Sequence, residues 1–407
     1  MTAASVLYVN PTAQLGGAEY SLLDLMASLD RNRFAPRLVC PEGPLVPAAA
    51  ARGIAVTSLE IPHWLAQLSL KGERSGAATL AASAFAAAPT AWKLRRLAAD
   101  AAIVHTNGNK AHLLAGLPGP RARLVWHVRD FWRKGAVERG MVRFANSQVD
   151  ALIANSNAVR AHLIGMGLSR DLVHAVPNGI DAARFTPDGP VAPLRQEFAW
   201  PANTPLVGIV GMLARWKGQD VLLRAFAEVL RRRPDARCVI AGDEIYVTRG
   251  HGGFRAELQT LARDLDIEHA VAMVGYRDDV PAVLRALNVV VHASVEPEPF
   301  GRVIAEAMAS GRAVIAADAG GVPEVTGRDS AAAVLVPPGD VASLSHAIVR
   351  LLGDDGEARR LGRAGRARVI ESFSIAAHVD GVQALYDRLL SATAVDPRPA
   401  VVPGGAV

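Results

Sequence analysis

The chain has 407 residues, half of them hydrophobic, with 44 basic against 39 acidic side chains and a formal charge of +5. That length suits two domains of ordinary size, and the scatter of its 36 glycines and 25 prolines excludes a fibrous repeat. No uninterrupted run of about 18 apolar residues occurs, so no membrane-spanning helix is predicted. The small basic excess, without an aromatic–basic platform or finger motif, argues against a nucleic-acid binder.

In chain order, Val6 to Asn10 reads as a strand, Ala18 to Leu29 as a helix and Arg37 to Cys40 as a second strand. The stretch from Pro62 to Asp100 is Ala-rich and is expected to form helices and loops around an acceptor pocket. Further strand ends follow at Ile103 to Thr106, Leu124 to His127, Leu152 to Asn155 and Val173 to Pro177, with helical patterns between most of them. Such alternation implies a parallel sheet with right-handed crossovers. A Gly-, Pro- and Asp-rich join, from Asn178-Gly-Ile-Asp181 to about Pro193, reads as a hinge. A second series has strands at Leu206 to Val210, Cys238 to Ala241, Val271 to Val274, Val289 to His292 and Ala313 to Ala316. Its helices include Val221 to Arg233, Phe254 to Leu265 and Ile304 to Ser310. Helices over Gly356 to Ser372 and Ala376 to Leu390 close the chain, and the Pro/Gly-containing tail at 393–407 is expected to be disordered. The α/β reading is thus two doubly wound, Rossmann-like domains, 1–188 and 189–375, facing a cleft at the carboxyl ends of their strands.

The chemistry concentrates in Glu298-Pro-Phe-Gly-Arg-Val-Ile-Ala-Glu306, after the strand that ends at His292. Glu298 sits on the loop, Gly301 opens a helix, and Glu306 lies about two turns into it. The first N–H groups of that helix attract anions. Two acceptors for hydroxyls beside donors for phosphate suit a sugar nucleotide. Arg215 and Lys217 follow the strand Leu206 to Val210. With only five lysines against 39 arginines in the chain, a Lys there points to a compact ammonium beside a departing diphosphate. Gly16-Gly17-Ala-Glu19 after the first strand reads equally as a phosphate-approaching turn or a plain tight turn. His127 ends a strand over the cleft, as a functional or a structural histidine. His292 also ends one and is expected to be structural. Glu324, in Ala319-Gly-Gly-Val-Pro-Glu324, either accepts from a sugar hydroxyl or caps the next segment. Asp264-Leu-Asp266 reads as a solvated helix end rather than a metal site, and no metal is expected.

Taken together, Gly16 to Glu19, Trp126-His127, Asn155-Ser156, Val176-Pro-Asn-Gly-Ile-Asp181, Trp216-Lys217-Gly218, the Glu298/Glu306 pair and Ala319 to Glu324 resemble a retaining glycosyltransferase of family 4, with the GT-B fold. The resemblance covers nearly the whole chain. It implies that the helix at 376–392 crosses back onto the N-terminal domain, which would bind acceptor while the second domain binds the sugar nucleotide. It further implies that Glu298 holds donor-sugar hydroxyls, Glu306 the ribose, and Lys217 the diphosphate. Backbone N–H groups at Phe300, Gly301 and Arg302 would meet sugar and phosphate, and His127 would lie beside the sugar. Gly16 and Gly17 would close over the phosphate, and the backbone at Tyr276 and Arg277 would meet the base. One departure is Met212, where the family carries an Arg that joins the Lys at the diphosphate; Arg215 is the candidate replacement.

The function implied is metal-independent transfer of a sugar from a UDP- or GDP-sugar, without a further cofactor, to a saccharide, lipid-linked or small-molecule hydroxyl. The rivals are a sugar-nucleotide epimerase and a catalytically silent nucleotide-sugar binder. Met1 to Tyr8 does not read as a signal peptide. Cys40 and Cys238, without metal-site spacing, are expected to be reduced and buried, which fits the cytoplasm. Lys93-Leu-Arg95-Arg96 and Arg231 to Arg233 read as solvated helix faces first and as peripheral contacts with an anionic membrane second.

Overall fold

The computed structural model of the chain describes residues 2–60, 88–115, 122–244, 252–329 and 331–392. The first sheet contains β1 (Ala4–Val9), β2 (Phe34–Cys40), β3 (Ala55–Ser58), β4 (Ile103–Asn107), β5 (Arg123–Val128), β6 (Ala151–Ala154) and β7 (Val173–Ala175). The second contains β8 (Leu206–Val210), β9 (Arg237–Ala241), β10 (Val271–Gly275), β11 (Val289–His292), β12 (Ala313–Ala317) and β13 (Val334–Val336). Their orders are β3-β2-β1-β4-β5-β6-β7 and β10-β9-β8-β11-β12-β13. Every pairing is parallel. The direction of winding reverses between β1 and β4 and between β8 and β11, which opens a crevice at the carboxyl ends of those strands.

The central strands β4, β8, β11 and β12 are buried at every residue, as expected when helices cover both faces of a parallel sheet. Helix Gln219–Leu230 shows how they are covered. Leu222, Phe226 and Val229 form one apolar stripe and bury completely against Val207 and Ile240. Each such side chain contributes about 1.5–3 kcal/mol of burial.

Two edge strands and one helix escape the sequence reading. β3 is four residues of mostly exposed edge, and β13 is three residues, two of them only partly buried. Neither carries the apolar run that marks a buried strand. Helix Val341–Gly353 lies between β13 and the long helix Asp355–Ser372. Residues 61–87, the core of the Ala-rich stretch, and the tail from 393 lie outside the described residues; 88–97 are helical.

Helix Ile375–Ser391 returns to the first sheet. Val379, Val382, Leu385 and Tyr386 join the core formed by Val6, Tyr8, Leu22 and Met26. Gln383 Oε1 accepts the Asp30 N–H at 2.9 Å, and Asp387 pairs with Arg33. The two passages of the chain between the sheets run side by side, with the Ile180 N–H donating to the Phe373 carbonyl at 2.8 Å. The crossing-back of this helix therefore follows from its own apolar face. Ser374, whose Oγ accepts the Ala377 N–H at 3.2 Å, starts it.

Candidate active site

A cavity of roughly 280 Å³ lies where the carboxyl ends of the two sheets meet. It brings together Gly16, Gly17, Lys217, Tyr276, Arg277, Glu298, Arg302 and Glu306. A larger surface pocket of about 620 Å³ lies beside Pro205, Asn288 and Ala313, at the amino-terminal ends of β8, β11 and β12. Ligands of such sheets bind at the opposite ends, so the smaller cavity is the candidate site.

The second sheet supplies the charged floor. Gly218, at φ +70°, ends the turn that carries Lys217, and a Cβ there would stand 2.0 Å from the Ala293 carbonyl oxygen. Only glycine lets this turn lie against the end of β11. Lys217 Nζ donates to Glu298 Oε2 at 2.6 Å. His292 Nε2 lies 3.3 Å from the same oxygen, and Ser294 Oγ 3.0 Å from that nitrogen. His292, expected to be structural and unpaired, is therefore part of the Glu298 cluster and of the cavity wall. Burial opposes ionisation of Glu298, but the Lys217 ammonium and the His292 contact outweigh it and hold the carboxyl well below the usual range.

One turn into helix Arg302–Ala309, rather than the two expected, Glu306 Oε1 accepts from Arg302 Nε at 2.7 Å. Arg302 also donates to Asp24 Oδ2 at 2.8 Å, on helix Gly17–Ser28 of the first sheet. Burial pushes the Glu306 carboxyl up despite Arg302. Across the cavity, the Glu19 carboxylate accepts from the Gly16 N–H at 3.1 Å and from Asn10 at 3.3 Å, which sets the Gly16–Gly17 turn facing the cavity.

Four of the expected residues are placed elsewhere. Arg215 pairs with Glu257 on helix Phe254–Asp264, is more than half exposed, and does not line the cavity. It follows the one-turn helix Arg215–Lys217 outward, while Lys217 turns inward. The Phe300 side chain packs edge-on against Phe373 in the core of the second sheet, and Phe300 does not line the cavity. Gly301, at φ +89°, is the turn into helix Arg302–Ala309 and does not line the cavity.

His127 is fully buried and does not line the cavity. Arg129 Nη2 lies 3.4 Å from His127 Nδ1, and His105 Nε2 lies 3.2 Å from it. A guanidinium only donates, so Nδ1 accepts and the ring proton sits on Nε2. His105 must then donate through Nε2 and accept at Nδ1 from the Tyr386 hydroxyl, 2.6 Å away; that hydroxyl in turn accepts from Tyr8 at 2.9 Å. Burial first, and then the Arg129 charge, drive the His127 pKa far down. His127 is therefore a neutral ring whose Nε2–H finds no partner among the described residues. It is a donor and not a base.

The Ala319 to Glu324 motif packs against the Glu298 loop. Gly320 and Gly321 lie against the backbone of Glu298 and Pro299, where added Cβ atoms would come within 2.3 Å of carbonyl oxygens. Glu324 reaches the other sheet. Its carboxylate accepts the Asn157 N–H at 2.8 Å and the Ala158 N–H at 2.6 Å, capping helix Asn157–Gly165. Of the two roles read for Glu324, capping is the one present, on a helix some 170 residues earlier in sequence rather than on the next segment. Asp264 ends its helix on an exposed face remote from the cavity.

Several functional residues have no signal of their own in the sequence. Arg129 is buried and ties Asn107, Ser21 and Asn178 together. A cation at the end of the apolar run Leu124 to Val128 was the available hint. Asp24 and Tyr20 lie on a helix with an ordinary pattern; the Tyr20 and Tyr276 hydroxyls approach to 3.4 Å across the cleft.

Residues 191–368 match the family described as glycosyl transferases group 1, and residues 15–184 match Glycosyltransferase Family 4. An alpha-maltose-1-phosphate synthase of Mycolicibacterium smegmatis is 30% identical over 312 residues, 71% of this chain and 79% of the relative. The chain belongs to the group 1 glycosyl transferases. A D-inositol 3-phosphate glycosyltransferase of Nocardia farcinica is 34% identical over 250 residues, 60% of this chain and 54% of that protein. The chain thus spans about half the length of this relative. Among solved structures, Anabaena Alr3699/HepE in complex with UDP-glucose superimposes with a TM-score of 0.79 at 25% identity, covering 94% of this chain and 99% of that one. This group 1 chain therefore has the GT-B architecture, two parallel-sheet α/β domains. Among its described residues no helix is long and apolar enough to cross a membrane.

Proposed function

We propose that the chain transfers a sugar from a nucleoside-diphosphate sugar to an acceptor hydroxyl with retained anomeric configuration. The observation that carries this reading is the meeting of the Lys217–Glu298 pair, Glu306 and the Gly16–Gly17 turn in one cavity. Glu298, kept ionised, accepts from sugar hydroxyls. Lys217 moves to the diphosphate, aided by N–H groups of Phe300 to Arg302 at the helix start. Glu306 takes the ribose, and Arg277 and Tyr276 flank the base. The acceptor oxygen bonds to the anomeric carbon on the face the diphosphate leaves. The anomeric carbon–phosphate oxygen bond breaks, and the acceptor proton passes to the leaving phosphate. The protein contributes positioning and charge stabilisation, without a metal or further cofactor. Names of relatives support both bases: UDP-glucose in the HepE structure, and GDP-mannose in a Corynebacterium glutamicum phosphatidylinositol monomannoside mannosyltransferase, 29% identical over 253 residues. They also support saccharide, inositol-type or lipid-linked acceptors.

The reading places the reaction in the cytoplasm, supported by two buried free cysteines. Peripheral contact with anionic lipid is assigned to the helix 88–97, where Trp92 is 58% exposed and Arg96 stacks on it at 4.7 Å.

A silent nucleotide-sugar binder is the second reading, favoured by Met212 and by the outward turn of Arg215. Calorimetry against UDP-, GDP- and ADP-sugars, followed by nucleotide release with and without acceptors, separates the cases. We expect one donor to bind and to release its nucleotide when acceptor is added. Heat of binding with no release under any acceptor identifies the silent binder, and sugar conversion without acceptor identifies an epimerase.

A further inference from the structure

Four cations line the cavity: Arg184, Lys217, Arg277 and Arg302. Three are committed to carboxylates. Lys217 is held by Glu298 at 2.6 Å, Arg302 by Glu306 at 2.7 Å and Asp24 at 2.8 Å, and Arg277 by Asp279 at 2.8 Å and Glu197 at 3.3 Å. Arg184 has no carboxylate partner among the described residues. Its guanidinium instead lies over the rings of Tyr20, at 5.6 Å, and Phe185, at 5.2 Å.

The Lys217–Glu298 pair is neutral, and the groups formed by Arg277 with its two acids and by Arg302 with Asp24 and Glu306 each carry one net negative charge. Arg184 is thus the cation of the cavity wall, among the described residues, whose charge no paired carboxylate offsets. Arg184 acts on Glu306 from across the space between them, so its charge reaches that side of the cavity. A guanidinium stacked on aromatic rings keeps its N–H edge available for bidentate contact with phosphate.

The local fold holds it there. Asp181 Oδ1 accepts the N–H groups of Ala183 at 3.0 Å and Arg184 at 2.9 Å, and Phe185 is buried in the core of the second sheet. Arg184 thus projects from the segment that joins the domains, touching Tyr20 of one and facing Glu306 of the other.

We propose that Arg184 binds the diphosphate of the nucleotide donor, supplying the second cation that Met212 lacks and Arg215, turned outward, does not provide. The inference rests on the nucleotide-sugar reading above. Its test is binding of UDP and GDP against binding of uridine and guanosine, in the wild type and in Arg184→Gln and Arg184→Lys, with thermal melting to check folding. Arg184→Gln should weaken the diphosphate by about tenfold or more, the loss typical of one charge-assisted hydrogen bond. It should leave the nucleoside unchanged, and Arg184→Lys should recover most of the loss. Undiminished diphosphate binding by Arg184→Gln overturns the proposal. Equal weakening of nucleoside and diphosphate also overturns it, since Arg184 would then act by packing on Tyr20. A wild-type chain that binds neither diphosphate contradicts the parent reading, and this one with it.

Discussion

The two sides of the cleft are built on opposite principles. The side belonging to the second sheet is ionic: Lys217 with Glu298, and Arg302 with Glu306, are short pairs at strand ends and on one helix. The side belonging to the first sheet is neutral at its surface, where the Gly16–Gly17 turn faces the cavity, and rigid beneath it. There Arg129, His127, His105, Tyr386 and Tyr8 form one hydrogen-bonded chain. The contrast suggests a division of labour. One side answers the charge of a ligand, and the other presents a backbone turn at a set position. The two are joined by a few named bonds: Arg302 to Asp24, and Glu324 to the start of helix Asn157–Gly165.

The sharpest way to break this comparison is to remove the charge on the ionic side. Glu298→Gln should lower turnover by about 10²–10³-fold, the loss expected for one transition-state contact, while nucleotide binding persists; steady-state kinetics with calorimetry reads both. The pair also has a pH signature. The folded-state pKa of Glu298 is depressed below 4.5, so its contribution to stability is complete above that value and is lost as pH falls toward the depressed one. The difference in melting temperature between wild type and Glu298→Gln should therefore shrink between about pH 6 and about pH 3. A constant difference would show that the pair adds no linked stability.

Smaller effects should come from the bonds that join the sides. Asp24→Asn leaves Arg302 with Glu306 alone, so its cost should fall at the low end of the about 3–5 kcal/mol typical of a broken buried pair. Glu324→Gln leaves one acceptor oxygen for two N–H groups, at a cost of about 1 kcal/mol. Both should open the cleft, raising the radius of gyration in solution scattering and the KM for donor, with Asp24→Asn the larger. Unchanged scattering and KM in both variants would mean that these bonds do not hold the domains together.

Much of the ionic side was legible in the sequence because its residues lie within short segments. Glu298, Gly301 and Glu306 share one strand–loop–helix unit, and Lys217 follows a strand of five apolar residues. The alternation of buried strands and helices likewise gave the two sheets, apart from edge strands too short and exposed to carry a pattern. The neutral side was not legible, because it is assembled from distant residues. Tyr386 meets His105 across 281 positions, and Glu324 caps a helix 167 positions away. The glycines at 320 and 321 carry the same lesson: the neighbours that demand them are the backbones of Glu298 and Pro299, some twenty positions earlier. Arg215 and Lys217 are two positions apart in sequence, and only the one-turn helix that ends at Lys217 sets the two cations pointing apart.

The most direct test of the account is a crystal structure of the chain with its preferred nucleoside-diphosphate sugar. The account predicts ribose hydroxyls on Glu306, sugar hydroxyls on Glu298, and Lys217 released from Glu298 to the diphosphate. A nucleotide bound outside the space between the two sheets, or one that leaves the Lys217–Glu298 pair closed, would contradict it.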